Sequence, residues 1–426
     1  MLPVLNEAYG NASSIHHYGQ AARQRLELAR RQVQALVGAS KPTEVVFTSG
    51  GTESNNLAIT GIVNASTRSR KHIITSTIEH PAVLAVCDAA DAEVTYVPVG
   101  ESGVVDPDDV RRALRPETVL ITIMHANNEI GTVQPVEELA AIAREAAVTF
   151  HCDGVQAAGK LALNATVDLY TISGHKFGAP KGIGALYVRE KIKLAPLMRG
   201  GKQERERRPG TENVPGAVAM GRAAGWAVEN FQNEAIRLAG LRDRLERGVA
   251  EAVPGVRINC RESTRTPNTS NILFEGIEGE AMVIALDLKG FAVSSGAACS
   301  SGAVEPSHVL TAIGLKREEA RSCLRFSLGR QNNEDQVDRL IDAVVASAAH
   351  LRRLSPVAVG GSQSARRTVD QAVTGRSGEP RSRHSGNTST PDEIADDASR
   401  GGDVSRFFSG KFTVVHGIKS STGRAE

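Results

Sequence analysis

Apolar residues recur along this chain with two alternating periods. "QAARQRLELARRQVQALVG" spaces them three and four apart, which predicts an amphipathic helix. "EVVFTS" is a short β-rich run that leads into the helix-like "TESNNLAITGIVNAS". The runs "HIITST", "EVTYVPV", "TVLITIMHA", "VTFHCD", "DLYTIS" and "GALYVRE" follow, several of them separated by helix-like segments. Short, continuously apolar strands that alternate with helices predict a largely parallel sheet covered on both faces. The ligand crevice of such a sheet lies beyond the carboxyl ends of its strands, so the polar residues just after each strand matter most.

A second region starts near Val256 with "VRIN", "SNILFEG", the helix-like "GEAMVIALDLKG" and a small-residue stretch around Cys299. "EPSHVLTAIG", "SCLRFSLG" and the amphipathic "NEDQVDRLIDAVVASAAHLRRL" complete it. The expected organisation is a large domain over 1–255, a smaller α/β domain over 256–354 and a tail over 355–426. Beyond Pro356 the chain turns to Ser, Arg, Gly, Thr and Asp without periodicity, which predicts a solvated, disordered tail. Within it, "FFSGKFTVVHG" is the one candidate interaction segment.

Composition narrows the class. With 50 Lys and Arg against 48 Asp and Glu, there is no clustered basic excess to suggest nucleic acid or a membrane surface as partner. The five cysteines are odd in number and never form a C-x-x-C pair, which argues against a disulfide framework or a zinc site. No signal peptide and no bilayer-length apolar run are visible, so a soluble cytoplasmic protein is expected.

The residues after the strands carry the chemistry. Ser173 ends "DLYTIS" with His175 and Lys176 just after it, and Asp153 and Gln156 follow "VTFHC". "FTSGGTES" runs from a strand through Gly51 and Thr52 into a helix start. That arrangement suits either a simple N-cap or a phosphate cradle. A lone lysine at a strand end is ordinarily a solvated surface residue. Grouped with a carboxylate and a helix-start anion site, it matches what pyridoxal phosphate asks of a protein: an amine for the aldehyde, a carboxylate for the ring nitrogen and a phosphate cradle. His80 in "STIEHPAV" adds an imidazole after a further strand, where it could stack on the ring.

The motifs "FTSGGTESNNLAI", "MHANNEIGTVQP", "HCDGVQAAGK", "SGHKFGAPKGIGALYV", "RRPGTENV", "VSSGAACSSGAVEPSHVL" and "RFSLGR" occur in unbroken order over roughly residues 1–354. Together they closely resemble the group I cysteine desulfurases of the NifS/IscS type, class V pyridoxal-phosphate enzymes. The resemblance implies the aspartate-aminotransferase-like fold type I. It implies that Lys176 forms the Schiff base, His80 stacks on the ring, Asp153 pairs with the ring nitrogen and Gln156 bonds the phenolic oxygen. Gly51, Thr52, Ser173 and His175 would hold the phosphate, and Thr211 of "RRPGT" would reach it from the partner subunit of a homodimer. Asn128 and Arg325 would bind L-cysteine, with Arg325 as a fork on its carboxylate.

Cys299 would then be the nucleophile that takes sulfur as a persulfide, leaving alanine. The Ser, Ala and Gly of "SSGAACSSG" would give its loop freedom to deliver sulfur to an iron–sulfur scaffold or to tRNA thiolation. No intrinsic metal site is implied, only a transient iron–sulfur ligand role for Cys299. Composition alone reads the same stretch as a flexible surface loop with an incidental cysteine. Cys87 and Cys323 read as small buried hydrophobes, and Cys152 as facing away from the cofactor.

Two departures stand out. Family members begin with a segment resembling "YLDNNATT", whereas Met1 begins beyond it and "NASS" replaces the usual "NPSS". The tail after Pro356 matches nothing in the family. Alternative readings are a selenocysteine lyase, a class V aminotransferase, or a catalytically impaired pyridoxal-phosphate-binding partner protein.

Overall fold

The computed structural model describes residues 1–163, 166–300 and 303–354, with side chains described outside 297–304. The expected disordered tail, including "FFSGKFTVVHG", lies outside the described residues.

The strands of the larger sheet are β1 Val45–Thr48, β2 His72–Ser76, β3 Glu93–Val97, β4 Thr118–Thr122, β5 Thr149–Asp153, β6 Leu169–Ser173 and β7 Gly184–Val188. Their order is β1-β7-β6-β5-β4-β2-β3. Pairing from β6 through β3 is parallel, and β7 runs antiparallel to both β6 and β1. The odd strand has a local cause. Between β6 and β7 lies only a short 3₁₀ turn and loop, with no crossover helix to return the chain in parallel. β2, β4, β6 and β7 are buried along their whole length, as strands covered on both faces must be. The edge strand β3 is half exposed.

The remaining strands are β8 Val256–Ile258, β9 Thr269–Phe274, β10 Ser294–Ser295, β11 Ala297–Ser300, β12 Ala303–Pro306 and β13 Cys323–Ser327. β10-β13-β9-β8 form a second sheet whose pairs are all antiparallel. The smaller region therefore joins helices to an antiparallel sheet, rather than repeating the parallel α/β pattern. β11 and β12 pair with each other, setting Cys299 opposite Val304. The stretch read from its composition as a loop is thus largely strand. Its short residues do not prevent backbone pairing with "AVEP", and residues 301–302 lie outside the description.

A 39-residue helix, Val214–Ala252, serves both regions. Val214, Ala217, Met220 and Ala224 join the core beneath the large sheet. Leu238, Leu241, Leu245 and Val249 join the core of the small one. The helix His17–Val37 packs against its first half so closely that a Cβ on Gly221 would stand 2.6 Å from Ala29 Cα. On its second half, Glu246 holds Arg265 bidentately at 2.7 and 3.1 Å, with both side chains only 4% exposed. The segment around Arg265 hydrogen-bonds in turn to residues 131–133, just past Asn128.

Candidate active site

The carboxyl ends of β1, β2, β4, β5 and β6 open onto a cavity of about 330 Å³. Gly51, Thr52, His80, Asn128, Asp153, Gln156, Ser173, His175, Lys176 and Arg325 all line it. Thr211 does not. It lines a separate cavity of about 210 Å³ with Phe47 and Arg208. The side chain of Cys299 lies outside the described residues.

Asp153 ends β5 and is buried. Its Oδ1 accepts from Val155 N–H at 3.0 Å and its Oδ2 from Asn55 Nδ2 at 2.7 Å. Burial pushes its pKa above the ordinary carboxyl value, against those two donors and the nearby His80 and Lys176. A buried carboxylate so placed gains from a cationic N–H inside the cavity. Asn55 was not singled out in the sequence. Its signal is its place one turn after Gly51, on the same face of the Gly51–Ala65 helix.

That helix begins at the end of β1 with no side-chain cap at Gly50. The N–H groups of its first turn and the positive end of its dipole therefore face the cavity. A Cβ on Gly51 would lie 2.9 Å from Val155 Cγ2 and 3.5 Å from Ser173 Cβ, so a side chain here would fill the cradle. Ser173 Oγ and His175 Nδ1, 3.0 Å apart, complete the polar rim.

Lys176 follows β6 in the turn Gly174–Lys176. Burial lowers its pKa, helped by Arg325 and opposed by Asp153, which raises the share of neutral, nucleophilic amine. His80 caps the Pro81–Asp88 helix, accepting from Ala82 N–H at Nδ1 (3.0 Å). Burial, opposed by Asp153 and reinforced by Lys176, lowers its pKa. The neutral ring then carries its proton on Nε2.

Of the two asparagines in "NNE", Asn127 is buried and structural: it donates to Ile78 O at 3.0 Å and receives the N–H groups of Glu129 and Ile130. Asn128 lines the cavity, and its carbonyl accepts from Arg325 Nη1 at 2.9 Å. Arg325 Nη2 also donates to Ser294 Oγ at 3.1 Å, while its buried Nε has no partner among the described residues. Gln156 accepts from Lys160 Nζ at 2.9 Å. Lys160, within the motif "HCDGVQAAGK", is the second residue that sequence reading left without a role. Cys152 and Cys323 are fully buried core residues, as is Cys87.

An open mixed sheet with one antiparallel strand, a lysine past one strand end, a buried carboxylate past its neighbour and an uncapped helix start together define a fold type I pyridoxal-phosphate enzyme. The chain belongs to the class-V aminotransferase family, whose sequence model matches residues 1–340. It is similar to cysteine desulfurase IscS of Dictyoglomus turgidum, 47% identical over 84% of this chain and 92% of that one. It is likewise similar to a cysteine desulfurase of Gluconacetobacter diazotrophicus, 48% identical over 84% of this chain and 90% of the relative. Among solved structures, a NifS-like protein superposes with a TM-score of 0.76 at 35% identity, covering 82% of this chain and 94% of that one. The cofactor is pyridoxal 5′-phosphate, and the open cradle at Gly51 and the under-compensated Asp153 fit it. No helix among the described residues is long and apolar enough to cross a membrane.

Proposed function

We infer that the chain is a cysteine desulfurase, converting L-cysteine to L-alanine and passing the sulfur to Cys299. The observation that carries this reading is Lys176 sharing one cavity with buried Asp153 and the open helix start at Gly51. When bound, pyridoxal phosphate supplies a ring that takes up the electrons released at the substrate α-carbon. Gly51, Thr52, Ser173 and His175 would hold its phosphate, Asp153 its ring nitrogen and Gln156 its ring oxygen, with His80 beside the ring. Arg325 and Asn128 hold the substrate, with the Nε that has no partner among the described residues as one of the donors available to its carboxylate. The Lys176 amine takes the α-proton and returns a proton to the product. Cys299 enters as a thiolate: the substrate C–S bond breaks, an S–S bond forms, and the protein thiol leaves as a persulfide while the carbon skeleton gains hydrogen as alanine.

The wider reading follows from the same site. The working unit is a homodimer in which Thr211 reaches the partner subunit's phosphate, consistent with its place outside this subunit's own cavity. The chain divides into a large domain over 1–255 and a small one over 256–354. The setting is cytoplasmic, supported by the free thiols of Cys87, Cys152, Cys260 and Cys323. The sulfur acceptor is an iron–sulfur scaffold or a tRNA-thiolation protein.

The test is release of alanine and sulfide from L-cysteine by the full chain with pyridoxal phosphate and a dithiol. Equal amounts are expected, falling to background in Cys299→Ser. Activity that survives Cys299→Ser would turn the reading toward an aminotransferase.

A further inference from the structure

Lys160 lies four residues past Gln156 and, unlike it, is not among the residues lining the cavity. Its Nζ donates to Gln156 Oε1 at 2.9 Å. The charged groups that face it are both cations, Lys176 after β6 and Arg325 on β13, and burial together with these two pushes its ammonium down to about 8. Among the described residues no carboxylate pairs with it. A half-buried ammonium that has no counter-ion among the described residues is unfavourable, and a neutral side chain of the same length would avoid that cost. Its position is explained if it acts on Gln156 and through Gln156 on whatever occupies the cavity.

A carboxamide offers one acceptor oxygen and two N–H donors. With Oε1 engaged by Lys160, the amide of Gln156 cannot turn over without losing that bond. The NH₂ group is then what Gln156 has left to give the cavity. We propose that Lys160 is a positioning residue for the reaction: it fixes Gln156 as a donor toward the cofactor's ring oxygen and places a positive charge behind that donor, favouring the oxygen in its anionic form. This inference rests on the desulfurase reading and extends it. An anionic oxygen there meets an N–H backed by a cation. With a neutral residue at position 160, the amide could present its carbonyl instead.

The experiment is a pH titration of the visible absorbance of the holoenzyme, read without substrate. Lys160→Met is expected to raise the midpoint by roughly one pH unit, because losing a neighbouring cation disfavours the deprotonated form. It should also weaken pyridoxal-phosphate retention in equilibrium dialysis roughly tenfold. Lys160→Arg, which keeps both charge and donor, should restore the wild-type midpoint. An unchanged midpoint in Lys160→Met overturns the proposal. Should that variant fail to fold, Lys160→Gln decides: it loses the charge, so a raised midpoint supports the assignment and an unchanged one overturns it. A wild-type chain that takes up no pyridoxal phosphate would sink the functional reading instead, so the two failures are distinct.

Discussion

The floor of the cavity and the antiparallel sheet beside it reach the same space by different routes. On the floor, Gly51, His80 and Lys176 each lie just past a strand end or open the helix beyond it and Asp153 ends β5; His80 and Asp153 are held by bonds to near neighbours in sequence, with Asn55 as a distant donor to Asp153. Arg325 comes instead from the middle of β13, close to two hundred residues from the Asn128 carbonyl it holds (|i−j| = 197). Its place depends on the Val214–Ala252 helix, the Glu246–Arg265 pair and the hydrogen bonds between residues 264–266 and 131–133. The floor is built mostly by local geometry and the opposite wall by long-range packing. Damage to the first should show mainly in cofactor chemistry, and damage to the second in stability and substrate affinity.

The largest effect is expected where the wall is anchored. Glu246→Ala leaves Arg265 buried without its carboxylate and should cost about 3–5 kcal/mol of stability. Denaturant unfolding of the holoenzyme measures this, and a loss below 1 kcal/mol would show that the pair does not tie the two regions. A smaller effect is expected at the wall's contribution to the site. Arg325→Lys keeps a charge but loses the fork, and should raise KM for L-cysteine roughly ten- to hundredfold. The cofactor absorbance should stay unchanged, and a fall in kcat with KM intact would remove Arg325 from substrate binding.

The third test belongs to the floor and appears as a pH slope. Glu79, fully buried beside His80, accepts from Ser76 Oγ at 2.6 Å and from Met124 N–H at 2.9 Å. Burial raises its pKa to about 8 from the ordinary carboxyl value near 4.5, against those two donors. In that window the folded state holds a proton that the unfolded state has lost. Stability therefore falls as pH rises from about 4.5 toward 8. Glu79→Gln keeps the accepting oxygen and should flatten this slope, as read from melting temperatures across the range. A slope equal to wild type would show that Glu79 is ionised in the fold.

Much of the floor was legible in the sequence because strand ends and helix starts carry local signals. Apolar runs located all seven strands of the large sheet, and the residues after them supplied most of the cavity lining. Asn55 and Lys160 were missed because their roles are contacts, Asn55 to Asp153 across ninety-eight residues and Lys160 to a side chain one turn away. Neither residue type signals such a contact by itself. The antiparallel pairing of the smaller sheet and the single helix feeding two cores were missed for a related reason. Periodicity reports which face is apolar, not which partner covers it.

The sequence by itself determined the element types, the order of the motifs and therefore the family, because backbone preference and hydrophobic period act over a few residues. Only the tertiary structure decided that one helix feeds both cores, that Thr211 stands apart from the cavity, and that Arg325 of β13 reaches the Asn128 carbonyl. Each of these is set by packing between distant segments, where burial and charge act through space rather than along the chain.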